Sequence, residues 1–186
     1  MPSLSPPTLL VSRCLRGVAC RYDGASRPCP GLGLLPAGWI LLDVCPEEDV
    51  GMGVPRPPIA LLQEERLRLV DRVSGRDWTH EMESWCRDFA RILLKDGAAG
   101  AVLKARSPSC GVGDVEVFGQ RAALAWPGAP GRAAHSQGDG FWVRALKACE
   151  PTFPLINDEE LLDPARRTHF LQAVERRHRL RPPPAC

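Results

Sequence analysis

Three of the eight cysteines follow short apolar stretches of the chain. They are Cys14 after Thr8–Ser12, Cys45 after Trp39–Val44, and Cys110 after Ala99–Ala105. Apolar runs without alternation are typical of buried parallel strands. The carboxyl ends of parallel strands meet at one edge of a sheet, and open α/β sheets bind their ligands at that edge. The sequence therefore predicts that three thiols, far apart along the chain, converge on one crevice.

The spacing leaves the chemistry of these thiols open. A structural zinc ion needs four protein ligands, and the chain contains no C-x-x-C motif that would supply a close pair. A four-iron cluster held by three cysteines keeps one iron open, and that iron can act as a Lewis acid on a substrate. The alternative is that the three cysteines share a position at strand ends and no function. Cys86 and Cys149 are predicted to be core residues, because free cysteine packs as a small hydrophobe.

The elements that would position the thiols alternate between strands and helices. A weaker strand is predicted at Thr152–Asn157, and helices are predicted at residues 77–96, 139–150 and 163–178, where apolar residues recur at helical spacing. This alternation predicts an α/β fold with a single domain: a Rossmann-like parallel sheet with flanking helices. The carboxyl ends of its strands are where a cluster site would lie if the three thiols share a function.

Local signals refine three of these segments. Asp77 or Thr79 can cap the first long helix, and Gly97 suits the position just after its end. A strand and a tight turn at Ser74 and Gly75 are predicted within residues 66–77. A flexible loop is predicted for residues 125–138, which are rich in proline and glycine.

Composition favours one globular domain of ordinary size. The chain has 186 residues, of which 44% are hydrophobic and 25% charged, with a net charge of +2. No apolar stretch is long enough for a membrane span, and Met1–Pro7 lacks the features of a signal peptide. We therefore expect a cytoplasmic protein, in which the cysteines form no disulfide framework. The basic segment Arg176–Arg181 is interpreted as a solvated helix end, with phosphate binding as the alternative.

Several partial motifs fail on inspection. The three G-x-G segments lack the third glycine of a dinucleotide-binding loop. The HEMES segment resembles the start of a zinc-protease helix, but Ser84 stands where the second histidine is required. The G-x-S-x-G element of α/β-hydrolases is missing as well.

Four longer motifs carry a resemblance to a known family. They are SRCLRGVACRYDG at 12–24, DVCPEEDVGMGVPRPP at 43–58, KARSPSCG at 104–111 and, more weakly, GDGFWVRALKA at 138–148. From about Thr8 to Arg179 the chain resembles the family labelled domain of unknown function 523, whose characterised members are thiouracil desulfidases. This resemblance implies a 4Fe-4S cluster held by Cys14, Cys45 and Cys110 with one open iron, and Cys20 is a candidate fourth ligand. It also implies an enzyme that removes sulfide from a thiolated uracil in a hydrolase- or lyase-like reaction without net redox change.

The same resemblance suggests roles for five further residues. Glu47 and Ser107 are the candidate catalytic residues, Glu47 as base and Ser107 to orient the substrate or relay a proton. Arg56, Lys104 and Ser109 are the candidate substrate-binding residues. The structural alternatives are a helix or turn cap for Glu47, a serine turn for Ser107, and loop anchoring for the two cations.

Two segments, 51–62 and 159–177, resemble longer relatives that act on thiouridine in tRNA and carry a second C-terminal domain. Because this chain ends at Cys186, we expect that domain to be missing, with a separately encoded partner domain as one consequence. The expected organisation is an iron–sulfur desulfidase domain at 8–157, a helical extension at 158–180 and a proline-rich tail at 181–186. The substrate is expected to be a thiolated uracil base, nucleoside or tRNA. The alternatives are a non-enzymatic iron–sulfur, metal-sensing or RNA-binding module, and a cluster enzyme that acts on another small molecule.

Overall fold

The computed structural model of the chain describes residues 5–119 and 136–180, which contain eight strands and four α-helices. The strands are β1 (Thr8–Ser12), β2 (Ile40–Val44), β3 (Ile59–Gln63), β4 (Leu67–Asp71), β5 (Ala98–Leu103), β6 (Val115–Phe118), β7 (Ser136–Gly138) and β8 (Leu155–Asn157). The helices are α1 (Pro46–Asp49), α2 (Thr79–Lys95), α3 (Phe141–Cys149) and α4 (Pro164–Leu180).

The first sheet is parallel throughout and is followed at its carboxyl edge by the three cysteines. Its strand order is β2-β1-β5-β8, and each neighbouring pair runs parallel. The chain moves outward from β1 to β2 and then returns to place β5 on the other side of β1, so the winding direction reverses between β1 and β5. A reversal of this kind opens a crevice at the carboxyl edge. The predicted α/β fold class is confirmed.

The second sheet was only partly predicted. Its order is β4-β3-β6-β7, with antiparallel pairing of β3 with β4 and of β6 with β7. The strand and turn predicted within residues 66–77 are confirmed by β4 and the turn after it. The loop prediction for 125–138 is wrong at Ser136–Gly138, where polar residues pair with β6 through their backbone. Residues 125–135 lie outside the described part of the chain.

The inner strands β1 and β5 of the first sheet are buried on both faces, whereas the edge strand β2 exposes Ile40 and Leu42. On β1, Leu10 packs into a core cluster with Met82 and Trp142 from α2 and α3, whereas Leu9 packs into a second cluster with Val174 from α4. This explains why the strand reads as an unbroken apolar run. The division of the chain at residue 157 stays a prediction, and α4 beyond it packs against the sheet.

The three predicted helices are confirmed to within two residues at each end, but one cysteine was misplaced. Asp77 Oδ1 accepts the backbone N–H of Thr79 at 2.9 Å, and Gly97, with a φ of 108°, follows the end of α2. Cys86 is buried in α2, as predicted. The core prediction for Cys149 is wrong, because the buried face of α3 ends at Leu146 and the last turn is exposed.

Candidate active site

A cavity of about 620 Å³ opens at the carboxyl edge of the first sheet. Its walls come from the segments that follow β1, β2 and β5, and from Ile59, Ala60 and Phe118 of the second sheet. The second sheet, which the sequence predicted only in part, therefore closes the crevice that the parallel sheet opens. All three predicted thiols, and Cys20 with them, line this cavity.

The three thiols reach the cavity from separate elements, and each is buried. Cys14 lies in a short 3₁₀ helix (Arg13–Arg16) after β1, Cys45 directly precedes α1, and Cys110 lies in the loop after β5. Burial, assisted by the neighbouring Cys45, raises the pKa of Cys14 to about 11, and burial raises the pKa of Cys45 to about 12. Burial also raises the pKa of Cys110, although a hydrogen bond with Ser12 opposes it. Burial thus favours the protonated form of these thiols, and binding of a metal requires the release of their protons.

The loop of Cys110 is held by its own serine. Ser107 Oγ accepts the backbone N–H of Cys110 at 3.1 Å and that of Ser109 at 3.3 Å. Because the hydroxyl oxygen is used twice as an acceptor, the hydroxyl proton of Ser107 remains for donation. Ser107 and Pro108 line the cavity, so this donor lies beside the thiols.

The start of α3 braces the same loop from behind. The backbone N–H groups of Gly140, Phe141 and Trp142 donate to the carbonyls of Gly111, Pro108 and Ser109 at 2.9, 3.2 and 2.8 Å. These N–H groups lie at the start of the helix, where backbone donors have no acceptor within the helix itself.

Gly140 is a site residue that sequence reasoning missed. A Cβ at this position would lie 2.6 Å from the backbone carbonyl carbon and oxygen of Ser109 and 2.9 Å from the N of Cys110. Only glycine permits this approach of the two backbones. The signal in the sequence was the G-D-G immediately before the helix, which we interpreted only as part of a motif.

Glu47 connects the loops of two cysteines. Its Oε2 accepts hydrogen bonds from Arg56 Nε at 2.9 Å and Arg56 Nη2 at 2.6 Å. Its Oε1 accepts from Ser109 Oγ at 2.9 Å and, more weakly, from Ser107 Oγ at 3.5 Å. The side chain is 14% exposed and lines the cavity. A carboxylate two residues after Cys45 is thus oriented against the segment that carries Cys110.

The three predicted substrate-binding residues are engaged within the protein. The Arg56 side chain is 4% exposed, and besides Glu47 it bonds the carbonyls of Gly53 and Cys20 at 2.8 and 3.0 Å. Lys104 Nζ pairs with Asp158 at 3.0 and 3.1 Å in a mostly buried contact. Ser109 is fully buried behind Glu47. The contacts of Arg56 and Lys104 are those of residues that anchor loops, which was the structural alternative for both. Ser109 contacts Glu47 and orients its carboxylate.

The cavity also contains a carboxyl group that sequence reasoning missed. Asp114 lines the cavity, and its Oδ2 accepts a hydrogen bond from Asn157 Nδ2 at 3.3 Å. Burial raises the pKa of Asp114 above its ordinary value. The sequence contains no signal for Asp114, because its partner Asn157 lies on another strand and the two residues form no motif with a recognisable spacing.

The donor set and the charge of the cavity fit a 4Fe-4S cluster. Three thiolates are the ligands that such clusters take, and a cluster on thiolates carries negative charge. Among the described residues, cations outnumber carboxylates in the lining: Arg13, Arg21, Arg27, Arg56, Arg72, Lys104 and Arg106 against Glu47, Asp114 and Glu116. Five of these cations are ion-paired, and four of the five pair with carboxylates that do not line the cavity. The lining itself is therefore richer in positive than in negative side chains, which helps to stabilise an anionic group.

Comparison with known proteins agrees with this geometry. A family model described as 2-thiouracil desulfurase matches residues 9–159. The uncharacterized protein YbbK of Bacillus subtilis (strain 168) is 32% identical over 112 residues, which are 56% of this chain and 74% of that protein. A solved structure of the [4Fe-4S]-dependent thiouracil desulfidase TudS superposes with a TM-score of 0.62 at 28% identity and covers 88% of this chain and 98% of its own.

Within residues 5–119 and 136–180, the longest helices are too short or too polar to cross a membrane.

The match to the family model extends from β1 to just beyond β8 and includes every cysteine of the cavity. This chain therefore belongs to the 2-thiouracil desulfurase family.

Proposed function

We propose that this protein is an iron–sulfur-cluster-dependent desulfidase that removes sulfur from a thiolated uracil. The observation that carries the proposal is the convergence of Cys14, Cys45 and Cys110 on one cationic cavity. Membership of the family and likeness to a [4Fe-4S]-dependent thiouracil desulfidase support it. When bound by these three thiolates, the cluster would supply an open iron that accepts sulfur from the substrate.

The reaction needs no oxidant or reductant. A bond forms between the oxygen of water and the ring carbon, the carbon–sulfur bond breaks, and the products are the uracil carbonyl and hydrogen sulfide. The protons of water must move from oxygen to sulfur during this exchange. The residues of the chain therefore have to hold water and move protons, which is general acid–base work.

Glu47 is the base in this proposal. Arg56 donates two hydrogen bonds to one carboxylate oxygen of Glu47, and Ser109 donates one to the other at 2.9 Å. The carboxylate is therefore held in one orientation. Ser107 relays or donates a proton, because two backbone N–H groups occupy its oxygen. Arg56 and Ser109 act here as positioning residues, and Lys104 with Asp158 anchors the start of the loop of Cys110.

The test is sulfide release by the full-length chain, reconstituted without oxygen. We expect about four irons per chain and equal amounts of sulfide and desulfurised product from 2-thiouracil, 4-thiouridine or thiolated tRNA, assayed side by side. Ser107→Ala should keep the iron and lose turnover roughly tenfold or more. A cluster-loaded protein that releases no sulfide from any of the three substrates would refute the desulfidase proposal and favour a non-enzymatic iron–sulfur module.

Binding of tRNA is a narrower proposal that rests on the end of α4. Arg176 and Arg179 are exposed there, whereas Arg177, predicted to bind RNA as well, pairs with Glu150 and donates to the carbonyl of Ala98. Arg181 lies outside the described residues. Two phosphate contacts predict a slope of log affinity against log salt of roughly −2. A slope near zero would leave the base or nucleoside as the substrate, and a steeper one would point to further contacts or a partner domain.

We propose the cytoplasm as the location, because cluster ligands require free thiols and a reducing compartment provides them. Every cysteine in the described part of the chain is free. We also retain the division into a desulfidase domain at 8–157, a helical extension at 158–180 and a tail at 181–186. The packing of α4 on the first sheet supports a structural role for the extension.

A further inference from the structure

A second group of metal-binding side chains lies at the rim of the cluster cavity. One ligand atom each from Cys20, Cys45 and Glu48 lies within 4.8 Å of the other two. Both cysteines are buried and Glu48 is partly buried. Cys20 does not belong to the three-cysteine cluster set, and Glu48 has no part in the proposed reaction. The group therefore lies beside the cluster ligands and overlaps them only at Cys45.

The backbone around this group is held in place by the protein. Cys45 and Glu48 lie one turn apart, and the backbone N–H of Asp49 donates to the carbonyl of Cys45 at 3.0 Å. Cys20 follows the 3₁₀ helix after β1; its N–H donates to Val18 at 2.9 Å and its carbonyl accepts from Arg56 at 3.0 Å. The sulfurs of Cys20 and Cys45 lie within 4.8 Å of each other. The backbone contacts of the two segments therefore hold the two sulfurs close together.

The charges around the group suit a divalent ion. Two thiolates and one carboxylate carry three negative charges, of which a divalent ion neutralises two. Arg13 supplies a positive charge at 2.7 Å from Glu48 Oε2 and is shared with Asp49 at 3.2 Å. Glu48 can keep this ion pair with one oxygen and offer the other to the metal. A buried anionic ligand set with such compensation avoids the large penalty of an unpaired charge.

The ligand types select zinc. Zn²⁺ prefers thiolate sulfur and accepts a carboxylate oxygen, usually in a tetrahedron that water can complete. Sulfur–zinc bonds of about 2.3 Å place tetrahedral ligands roughly 3.8 Å apart. The three ligand atoms, now within 4.8 Å of one another, need to move together by about 1 Å, which side-chain rotations can supply.

We propose that Cys20, Cys45 and Glu48 form a binding site for Zn²⁺ in the chain before the cluster is assembled. Because Cys45 belongs to both ligand sets, Zn²⁺ at this site and the 4Fe-4S cluster exclude each other. Zinc therefore holds the protein in a cluster-free state until it is removed. The exclusion of the cluster rests on the proposed function, whereas the binding of zinc does not.

The experiment uses the full-length, cluster-free chain under anaerobic conditions and Co²⁺ as a coloured substitute for Zn²⁺. We expect one Co²⁺ per chain with a thiolate-to-cobalt absorption band, and displacement of the band by Zn²⁺. Cys20→Ser and Glu48→Gln should weaken Co²⁺ binding about tenfold or more, because even the loss of an outer-shell partner of a metal ligand typically costs that much. Cys110→Ser is the matched control, because it removes a buried thiol of the same cavity that the zinc site does not use.

A second measurement separates this proposal from the desulfidase proposal. Zinc added before iron and sulfide should slow cluster assembly in the wild-type chain and have little effect in Cys20→Ser, which keeps all three cluster ligands. Thermal melting of each variant establishes that it is folded. The proposal is overturned if the wild-type chain shows no thiolate–cobalt band, or if Cys110→Ser loses the band as fully as Cys20→Ser. A band that depends on Cys20 and Glu48 supports the zinc site even if the chain releases no sulfide from thiouracil.

Discussion

Replacing Glu47 by glutamine separates its two roles, as a partner of Arg56 and as the proposed base. The substitution keeps the shape and an oxygen acceptor but removes the negative charge. Arg56, whose side chain is 4% exposed, then lies beside a neutral amide. Removing one partner of a buried ion pair costs about 3–5 kcal/mol, and the remaining acceptor places this change at about 2–3 kcal/mol. For a chain of this size, that corresponds to a melting temperature lower by roughly 5–10 °C.

The loss of turnover should be larger than the unfolding of some molecules could cause. A general base typically contributes about a hundredfold or more, which is roughly 2.7 kcal/mol of activation free energy. The cluster ligands are untouched, so iron content after anaerobic reconstitution should stay close to that of the wild type. The assay is sulfide release per loaded cluster, measured well below the lowered melting temperature so that every molecule is folded.

Asp49→Asn is the matched control for this experiment. Asp49 is an exposed carboxylate in the same short helix, and it pairs with Arg13 at 3.2 Å outside the contacts of Glu47. Its turnover per cluster should equal that of the wild type. If Glu47→Gln also turns over at the wild-type rate, Glu47 only anchors Arg56. If Glu47→Gln melts at the wild-type temperature, the ion pair with Arg56 contributes nothing and our account of the site is refuted.

Three further predictions follow from the structure. Cys110→Ala should lose the cluster, whereas Cys149→Ala, which removes an exposed thiol, should keep the wild-type iron content; iron analysis after reconstitution would contradict this if both variants lost iron. Gly140→Ala should lower cluster content several-fold although it removes no ligand. The added Cβ would lie 2.6 Å from the backbone of the loop that carries Cys110. Unchanged iron content would show that the loop can shift without consequence. The pKa of Asp77 is the basis of the third prediction. Burial acts to raise this pKa, but hydrogen bonds from Thr79 lower it below its ordinary value of 3.8. This carboxylate therefore stabilises the fold above about pH 4 and loses its effect as the pH falls through its folded pKa. Asp77→Asn removes the charge that also pairs with Arg68, and should cost up to about 1 kcal/mol in urea unfolding at neutral pH and progressively less in acid. A cost that grows in acid would contradict the assignment.

The sequence could predict those parts of the fold that depend on local pattern. The apolar runs ending at Ser12, Val44 and Leu103 are parallel strands. Burial on both faces explains the missing alternation in β1 and β5, whereas the edge strand β2 exposes Ile40 and Leu42. The weak fourth run begins as a strand only at Leu155, after Pro154, which has no N–H for the ladder. The placement of thiols at strand ends followed from the same pattern, because every parallel strand delivers its end to the same edge.

The sequence could not show which polar groups would meet. Five of the six residues of the RRHRLR segment are arginine or histidine, yet their surroundings differ. The side chain of Arg177 is 11% exposed and bound to Glu150, while that of Arg179 is 62% exposed. A helical pattern reports which face is buried, but the partner of a buried cation comes from a distant segment. The second sheet was partly missed for a related reason: β7 is short and polar, and it is a strand only because β6 lies beside it.

For the candidate site, the sequence by itself determined the three thiols, the carboxylate after Cys45 and the stiff loop around Cys110. Only the tertiary structure decided what these groups do to one another. Ser109 is separated from Glu47 by 62 positions and yet holds its carboxylate at 2.9 Å. Gly140 lies behind the loop because the first turn of α3 packs against it. Residue types and strand ends are local properties of a chain, whereas the orientation of a carboxylate depends on packing between segments that are far apart in sequence.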